Sequence, residues 1–152
     1  MNDIITLKIK RINKEFYDIP TPDYSTSGSS GMDVRAALSE SVKLEKGKIL
    51  LLPTNLILEI PHGYEIQVRP RSGLALNHGV TVLNTPGTID SDYRGELKII
   101  MINLGEKDFT INRGDRIAQL VLSKVYTASV QESDTLEGTH RNTGGFGSSG
   151  IQ

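Results

Sequence analysis

The chain contains no cysteine and no tryptophan. The first absence excludes disulfides, thiolate zinc sites and cysteine nucleophiles at once. Aromatic residues make up only 5% of the 152 residues, so a core must be built from branched aliphatics, which suit strands better than a helical bundle. Neither sign of charge prevails: 17 Lys plus Arg stand against 18 Asp plus Glu, a formal net charge of -1. A wide nucleic-acid footprint shows as a strongly basic domain, so no stable nucleic-acid binding is expected, whereas a small anionic ligand needs only a few local cations. Long hydrophobic runs are missing too. Nothing approaches the roughly 18 apolar residues of a membrane span, and the N-terminal MNDIITLKIKRINKEF has no uninterrupted apolar stretch of signal-peptide length. The expectation is one soluble, cytoplasmic domain with no membrane partner.

What is present reads as strand. Short runs rich in branched residues recur at 4–9, 49–52, 56–60, 64–68, 80–83, 97–102 and 117–126. Turn residues punctuate them, at Lys46-Gly47, Pro61-His62-Gly63, Thr85-Pro86-Gly87, Leu104-Gly105 and Arg113-Gly114-Asp115. Many short strands with regular turn signals predict an all-β sandwich or barrel. One short helix, of one or two turns, is expected over 72–77. Residues 20–31 (PTPDYSTSGSSG) are small and polar, an extended approach to the first candidate motif. From Thr139 the chain reads THRNTGGFGSSGIQ, too poor in apolar surface to hold a core of its own. The expected division is a body over 1–138 and a flexible Gly-rich tail over 139–152. At about 3.3 Å per residue such a tail reaches some 45 Å, far enough to visit a neighbouring subunit.

Five segments carry candidate chemistry. Gly31-Met32-Asp33-Val34-Arg35-Ala36-Ala37 places one acid beside a strand, although an Asp next to Gly is most often a turn former. Arg69-Pro70-Arg71-Ser72-Gly73-Leu74 sets an Arg, a hydroxyl and a Gly at the start of the short helix, where charge and backbone N–H groups can meet a phosphate; a plain surface turn explains it equally. Residues 79–97 (GVTVLNTPGTIDSDYRGEL) form two strand-like arms around a turn, a β-hairpin whose backbone can read the edge of a flat base. An ordinary polar hairpin accounts for Gly87 and Gly95, but not for Asn84, Asp90 and Tyr93 together. In Arg113-Gly114-Asp115-Arg116-Ile117-Ala118-Gln119-Leu120 a turn leads into a strand, and Asp115 and Arg116 can simply pair with other charges. The Gly-rich tail carries Arg141 and the single Phe146, which suggests a lid.

In order and with none missing, these segments match the five motifs of the homotrimeric dUTPases, and the chain resembles that family from residue 31 to residue 150. Asn142 stands where the family more often has Gly, and Ser149 where Thr is common, departures that bear on lid flexibility alone. The resemblance implies a jelly-roll-like β-barrel and hydrolysis of dUTP to dUMP and pyrophosphate with Mg2+, which keeps uracil out of DNA and supplies dUMP. It implies that Asp90 activates the water, that Asp33 reaches the metal through water, and that Arg71, Ser72, Gly73 and Gln119 hold the inner phosphates. Asn84, Thr88, Ile89 and the backbone at Asp90, with the facing strand near Lys98, would select uracil. Tyr93 would lie against the deoxyribose, and Arg141, Phe146, Gly147 and Ser148 would close over the γ end and the base. His62, His78 and His140 are scattered and would be structural or exposed. The implied assembly is a homotrimer with shared active sites.

Three other readings compete. A deaminase of dCTP on the same fold needs a dedicated acid–base Glu over the base, for which Glu96 is the candidate. A regulatory module would be expected to lack Asp90 or the tail. A purely structural β-sandwich explains the strands and none of the motifs.

Overall fold

A computed structural model describes residues 4–146 and Ser148. Strands dominate it, as the branched runs predict, and every pairing is antiparallel. β2 (Met32–Arg35), β11 (Arg116–Lys124), β6 (Tyr64–Arg69) and β8 (Gly87–Ile89) form a four-stranded sheet in that order. β4 (Ile49–Pro53), β9 (Lys98–Asn103) and β7 (Val80–Val82) form a three-stranded one. Two ribbons complete the set: β1 (Lys8–Arg11) on β5 (Leu56–Glu59), and β3 (Val42–Leu44) on β10 (Phe109–Ile111). Among the described residues no sheet closes on itself, so the arrangement is jelly-roll-like rather than a sealed barrel. The one α-helix among the described residues, α1 (Ser72–His78), matches its expected position to within a residue. Among the described residues no helix is long and apolar enough to cross a membrane.

The core comes from alternation along the strands. Ile66 and Val68 of β6, Val34 of β2, and Ala118 and Leu120 of β11 point into one buried cluster, joined by Leu52, Ile99, Met101, Val80 and Val82 of the three-stranded sheet. The opposite face of that second sheet is also apolar. Register pairs Ile49 with Ile102, Leu51 with Ile100 and Ile102 with Thr81, which sets a row of aliphatics on the outside. Ile49 and Leu51 are 56% and 54% exposed there.

Several elements depart from expectation. β1 starts at Lys8 rather than residue 4, because its partner β5 spans only Leu56–Glu59. β2, β3, β8 and β10 do not register as branched runs, being three or four residues long and interrupted by polar residues or Gly. The hairpin expected over 79–97 does not form: β7 pairs with β9, which begins only at Lys98, and β8, the other strand in that stretch, leaves to pair with β6 through Ile89↔Ile66 and Gly87↔Val68. Residues 79–97 therefore bridge two sheets.

Candidate active site

The first cluster sits on the outer surface of the four-stranded sheet. Asp33 of β2, Gln119 of β11 and Arg69 of β6 lie in one row across three strands. A β-bulge between Arg116 and Ala118 is what adds Arg116 to this face. The bulge buries both Ile117 and Ala118, at 1% and 0% exposure, and so turns Arg116 outward on the side of Gln119 instead of into the core. Asp33 then binds two guanidinium groups: Arg71 Nε lies 3.0 Å from Oδ1, and Arg116 Nη1 lies 3.1 Å from Oδ2. Arg71 Nη1 also donates to the Arg116 carbonyl at 3.3 Å. Gln119 Nε2 donates to Pro70 O at 2.9 Å, fixing the approach to α1, and a Cβ on Gly31 would run into Gln119 Oε1. Arg71 is the N-cap of α1 and makes no side-chain cap bond, so the N–H groups of Ser72 and Gly73 have no intrahelical acceptor. Apart from its own neighbours and helix backbone, nothing among the described residues comes within 4 Å of a Cβ placed on Gly73, and Ser72 is exposed. Two cations, an amide and free backbone donors thus converge from three separate stretches of sequence, a surface suited to a polyphosphate.

The second cluster lies around β8 and the start of β9. Ile89, Tyr93, Glu96 and Lys98, with Leu51 and Ile100 from the apolar outer face, line a cleft of about 320 Å³. Tyr93 lies over Gly95 and its hydroxyl donates to Glu96 O at 3.2 Å. Asn84 is exposed just after β7, and Thr88 points outward from β8, opposite Gln67. Asp90 opens instead onto a neighbouring groove shared with His62, Tyr64 and Glu65. Among the described residues no hydrogen bond or ion pair engages the Asp90 carboxylate, which leaves it free to act on a water.

The two clusters do not meet within one chain. Ile89 is level with Ile66, which sets Asp90 beside Glu65 at the start of β6, whereas Arg71 lies just past its other end. Arg71 is itself extended (φ -96°, ψ 127°). Six residues at about 3.3 Å each put Asp90 and Arg71 roughly 20 Å apart, far more than a triphosphate spans.

Residues 17–150 match the family model for dUTPase. The chain belongs to the dUTPase family. Curated relatives named deoxyuridine 5'-triphosphate nucleotidohydrolase align over most of it. That of Thermoanaerobacter sp. (strain X514) is 51% identical over 147 residues, 97% of this chain and 99% of the relative. That of Brucella melitensis biotype 2 is 57% identical over 131 residues, 85% of this chain and 83% of the relative. Among solved structures, the Staphylococcus bacteriophage 80alpha dUTPase with dUPNHPP aligns at a TM-score of 0.85 and 26% identity, covering 96% of this chain and 99% of that one.

Set against the dUTPase motifs, Asp33, Arg71, Ser72, Gly73 and Gln119 are brought together, and so are Ile89, Tyr93 and Lys98. The tail residues stand apart. Among the described residues Arg141 Nε donates to Gly144 O at 2.7 Å and Ser148 N to Gly145 O at 3.0 Å, both within the tail, and the Phe146 side chain is fully exposed. Gly147 lies outside the described residues. Sequence reading has Arg116 pairing with another charge, as it does with Asp33, but missed its place in this cluster, which depends on a bulge that no local pattern announces, and missed Glu96 as a partner of Asn55 and Lys98. A Glu96 carboxylate so engaged is poorly placed for the free acid–base role that a deaminase requires. Arg113, the first residue of the fourth motif, is a clamp: its guanidinium binds Asp18 at 2.7 Å, donates to Leu38 O and Glu15 O, and covers the Phe16 ring at 4.7 Å. The hydrogen bond from Arg113 holds the Asp18 carboxyl below its ordinary value of 3.8. His62, His78 and His140 are exposed, and His78 packs on Phe109 with ring centroids 4.7 Å apart.

Proposed function

We infer that this dUTPase hydrolyses dUTP to dUMP and pyrophosphate, and that its working form is a homotrimer with shared sites. The observation that carries the reading is the convergence of Asp33, Arg71, Arg116 and Gln119 on one polar surface while Asp90 stands unpaired roughly 20 Å away. A second subunit resolves that separation by presenting its own Asp90 cleft to the arginine surface. The row of exposed Ile49 and Leu51 with half-buried Ile100 and Ile102 supports this, because it is apolar, faces outward and runs straight into the Tyr93 cleft. The tail over 139–152 is the third contribution, a separate segment reaching across to close the site.

In the assembled site Asp90 orients a water in line with the α-phosphorus and takes its proton. Arg71, Arg116, the N–H groups of Ser72 and Gly73, and Gln119 offset the charge on the phosphates. Gly73 suits that use, since among the described residues nothing beyond its own helix and neighbours occupies the space beside it. The backbone of Thr88, Ile89 and Asp90, together with Asn84 and Lys98, reads the base; cytosine exchanges donor for acceptor and leaves buried groups unpaired. The Tyr93 ring stands where a ribose 2′-hydroxyl would go. Arg141, Gly147 and Ser148 close on the γ-phosphate, and Phe146 stacks on the uracil.

The chemistry calls for a divalent metal, and we assign Mg2+. Among the described residues no group of three or more His, Cys, Asp or Glu could hold an ion. The one candidate, Asp33, has both oxygens engaged by guanidinium groups, which fits contact through a water with an ion carried by the phosphates, as Mg2+ prefers. When bound, the ion offsets phosphate charge. A cytoplasmic dUTPase of this kind keeps uracil out of DNA and supplies dUMP for thymidylate synthesis. Incubation with dUTP, dCTP and UTP plus Mg2+ tests the reading: pyrophosphate from dUTP alone is expected. Ammonia from dCTP would establish a deaminase, and inertness toward all three would establish a binding module.

A further inference from the structure

Glu96 closes the loop that carries Asp90 and Tyr93, and its side chain is 23% exposed. Oε1 accepts the Asn55 N–H at 3.0 Å, and Oε2 stands 3.6 Å from Lys98 Nζ. The Glu96 backbone carbonyl accepts the Tyr93 hydroxyl at 3.2 Å. Asn55 is a rigid anchor. It is 5% exposed and sits at φ 64°, in the left-handed region that residues other than Gly rarely adopt. Its side chain accepts from Asn13 N at 2.7 Å and donates to Asn13 O at 3.0 Å. Beside it, Thr54 Oγ1 donates to Leu97 O at 2.6 Å and Leu97 N donates to Leu56 O at 2.8 Å. The turn before β9 is therefore fastened to the buried corner between β4 and β5 at two successive residues, Glu96 and Leu97.

What hangs on this fastening is one wall of the Tyr93 cleft. The Tyr93 ring is 47% exposed, and its hydroxyl is held by the Glu96 carbonyl. Lys98, on the adjoining wall, has Glu96 as its ion-pair partner. We propose that Glu96 is a positioning residue for sugar selection: anchored on Asn55 and paired with Lys98, it sets the Tyr93 ring where the ring excludes a ribose and favours a deoxyribose. This role rests on the dUTP reading above. Removing the carboxylate strands the Asn55 N–H, a partly buried donor, and removes the counter-charge of Lys98, so the 93–98 turn loosens toward the cleft.

Steady-state kinetics on dUTP and UTP, with the full chain and its Glu96→Ala and Glu96→Gln variants, tests the role. Gln keeps an oxygen for the Asn55 N–H, while Ala keeps nothing. Glu96→Ala should raise the UTP to dUTP ratio of kcat/KM about tenfold, chiefly through KM for dUTP, with kcat changed less than about threefold. Glu96→Gln should keep the ratio within about threefold of wild type. A merely structural Glu96 lowers the melting temperature of Glu96→Ala and leaves the ratio alone, an outcome that overturns the proposal. If Glu96→Ala does not fold, Tyr93→Phe, which removes only the hydroxyl that the Glu96 carbonyl holds, must raise the ratio, and an unchanged ratio there overturns it too. Wild-type protein inert toward dUTP defeats the dUTP reading itself, whereas active wild type with a flat ratio defeats the Glu96 role alone.

Discussion

The separation of Asp90 from Arg71 along β6 can be tested by mixing two inactive proteins. Asp90→Asn removes the base and should cost roughly 10²- to 10⁴-fold in turnover. Arg71→Ala removes one of the two cations on Asp33 and should cost at least about a hundredfold, since a charge-assisted contact to phosphate is lost in a site built for it. If each site draws Arg71 from one subunit and Asp90 from another, an equal mixture unfolded and refolded together assembles at random. A site is then intact only when its Arg71 comes from an Asp90→Asn subunit and its Asp90 from an Arg71→Ala subunit. Each condition holds about half the time, so about one quarter of the sites recover. The refolded mixture should therefore release pyrophosphate from dUTP at about 25% of the rate of refolded wild type, at least tenfold above either parent. Parents refolded separately and then combined serve as the control. A site contained in a single chain allows no recovery, because every chain carries one lesion. A refolded mixture no more active than its parents would refute the shared site and the distance argument behind it.

Three further outcomes are expected. A chain ending at Glu137 should melt as the full chain does and bind dUMP almost as well, while kcat/KM for dUTP falls at least about a hundredfold; a collapse in melting temperature would make the tail structural. Gly79→Ala should destabilise by about 2–4 kcal/mol in melting experiments at fixed protein concentration, because Gly79 sits at φ 66° and a Cβ there would lie 2.5 Å from the Gly105 backbone; an unchanged melting temperature would mean the β9–β10 loop yields freely. Asp18→Asn should lower the melting temperature slightly at neutral pH and lose its effect in acid. The Arg113 hydrogen bond depresses the folded-state value of Asp18 below 3.8, so its stabilisation is full above that pH and disappears as pH falls through the depressed value. Equal gaps between wild type and variant at about pH 7 and about pH 2 would contradict it.

Much of this protein is legible in the residue pattern. The runs at β4, β5, β6, β7, β9 and β11, the short helix after Arg71 and the polar tail all follow from local composition, because burial on one face of a strand imposes alternation wherever the strand is long enough to show it. The five motifs likewise place Asp33, Arg71, Gln119, Asp90 and Tyr93 as candidates before any fold is known. Short strands escape such reading: Gly87-Thr88-Ile89 becomes β8 only because β6 offers it an edge. Local pattern also could not reveal that a bulge turns Arg116 toward Asp33, that Arg113 is spent on Asp18, or that Glu96 hangs from Asn55. Least visible of all was the distance between the two halves of the site. Side-chain periodicity records which face of a strand is buried, whereas register and strand order record which distant residues stand side by side, and those are settled only when the long-range pairs of the tertiary structure form.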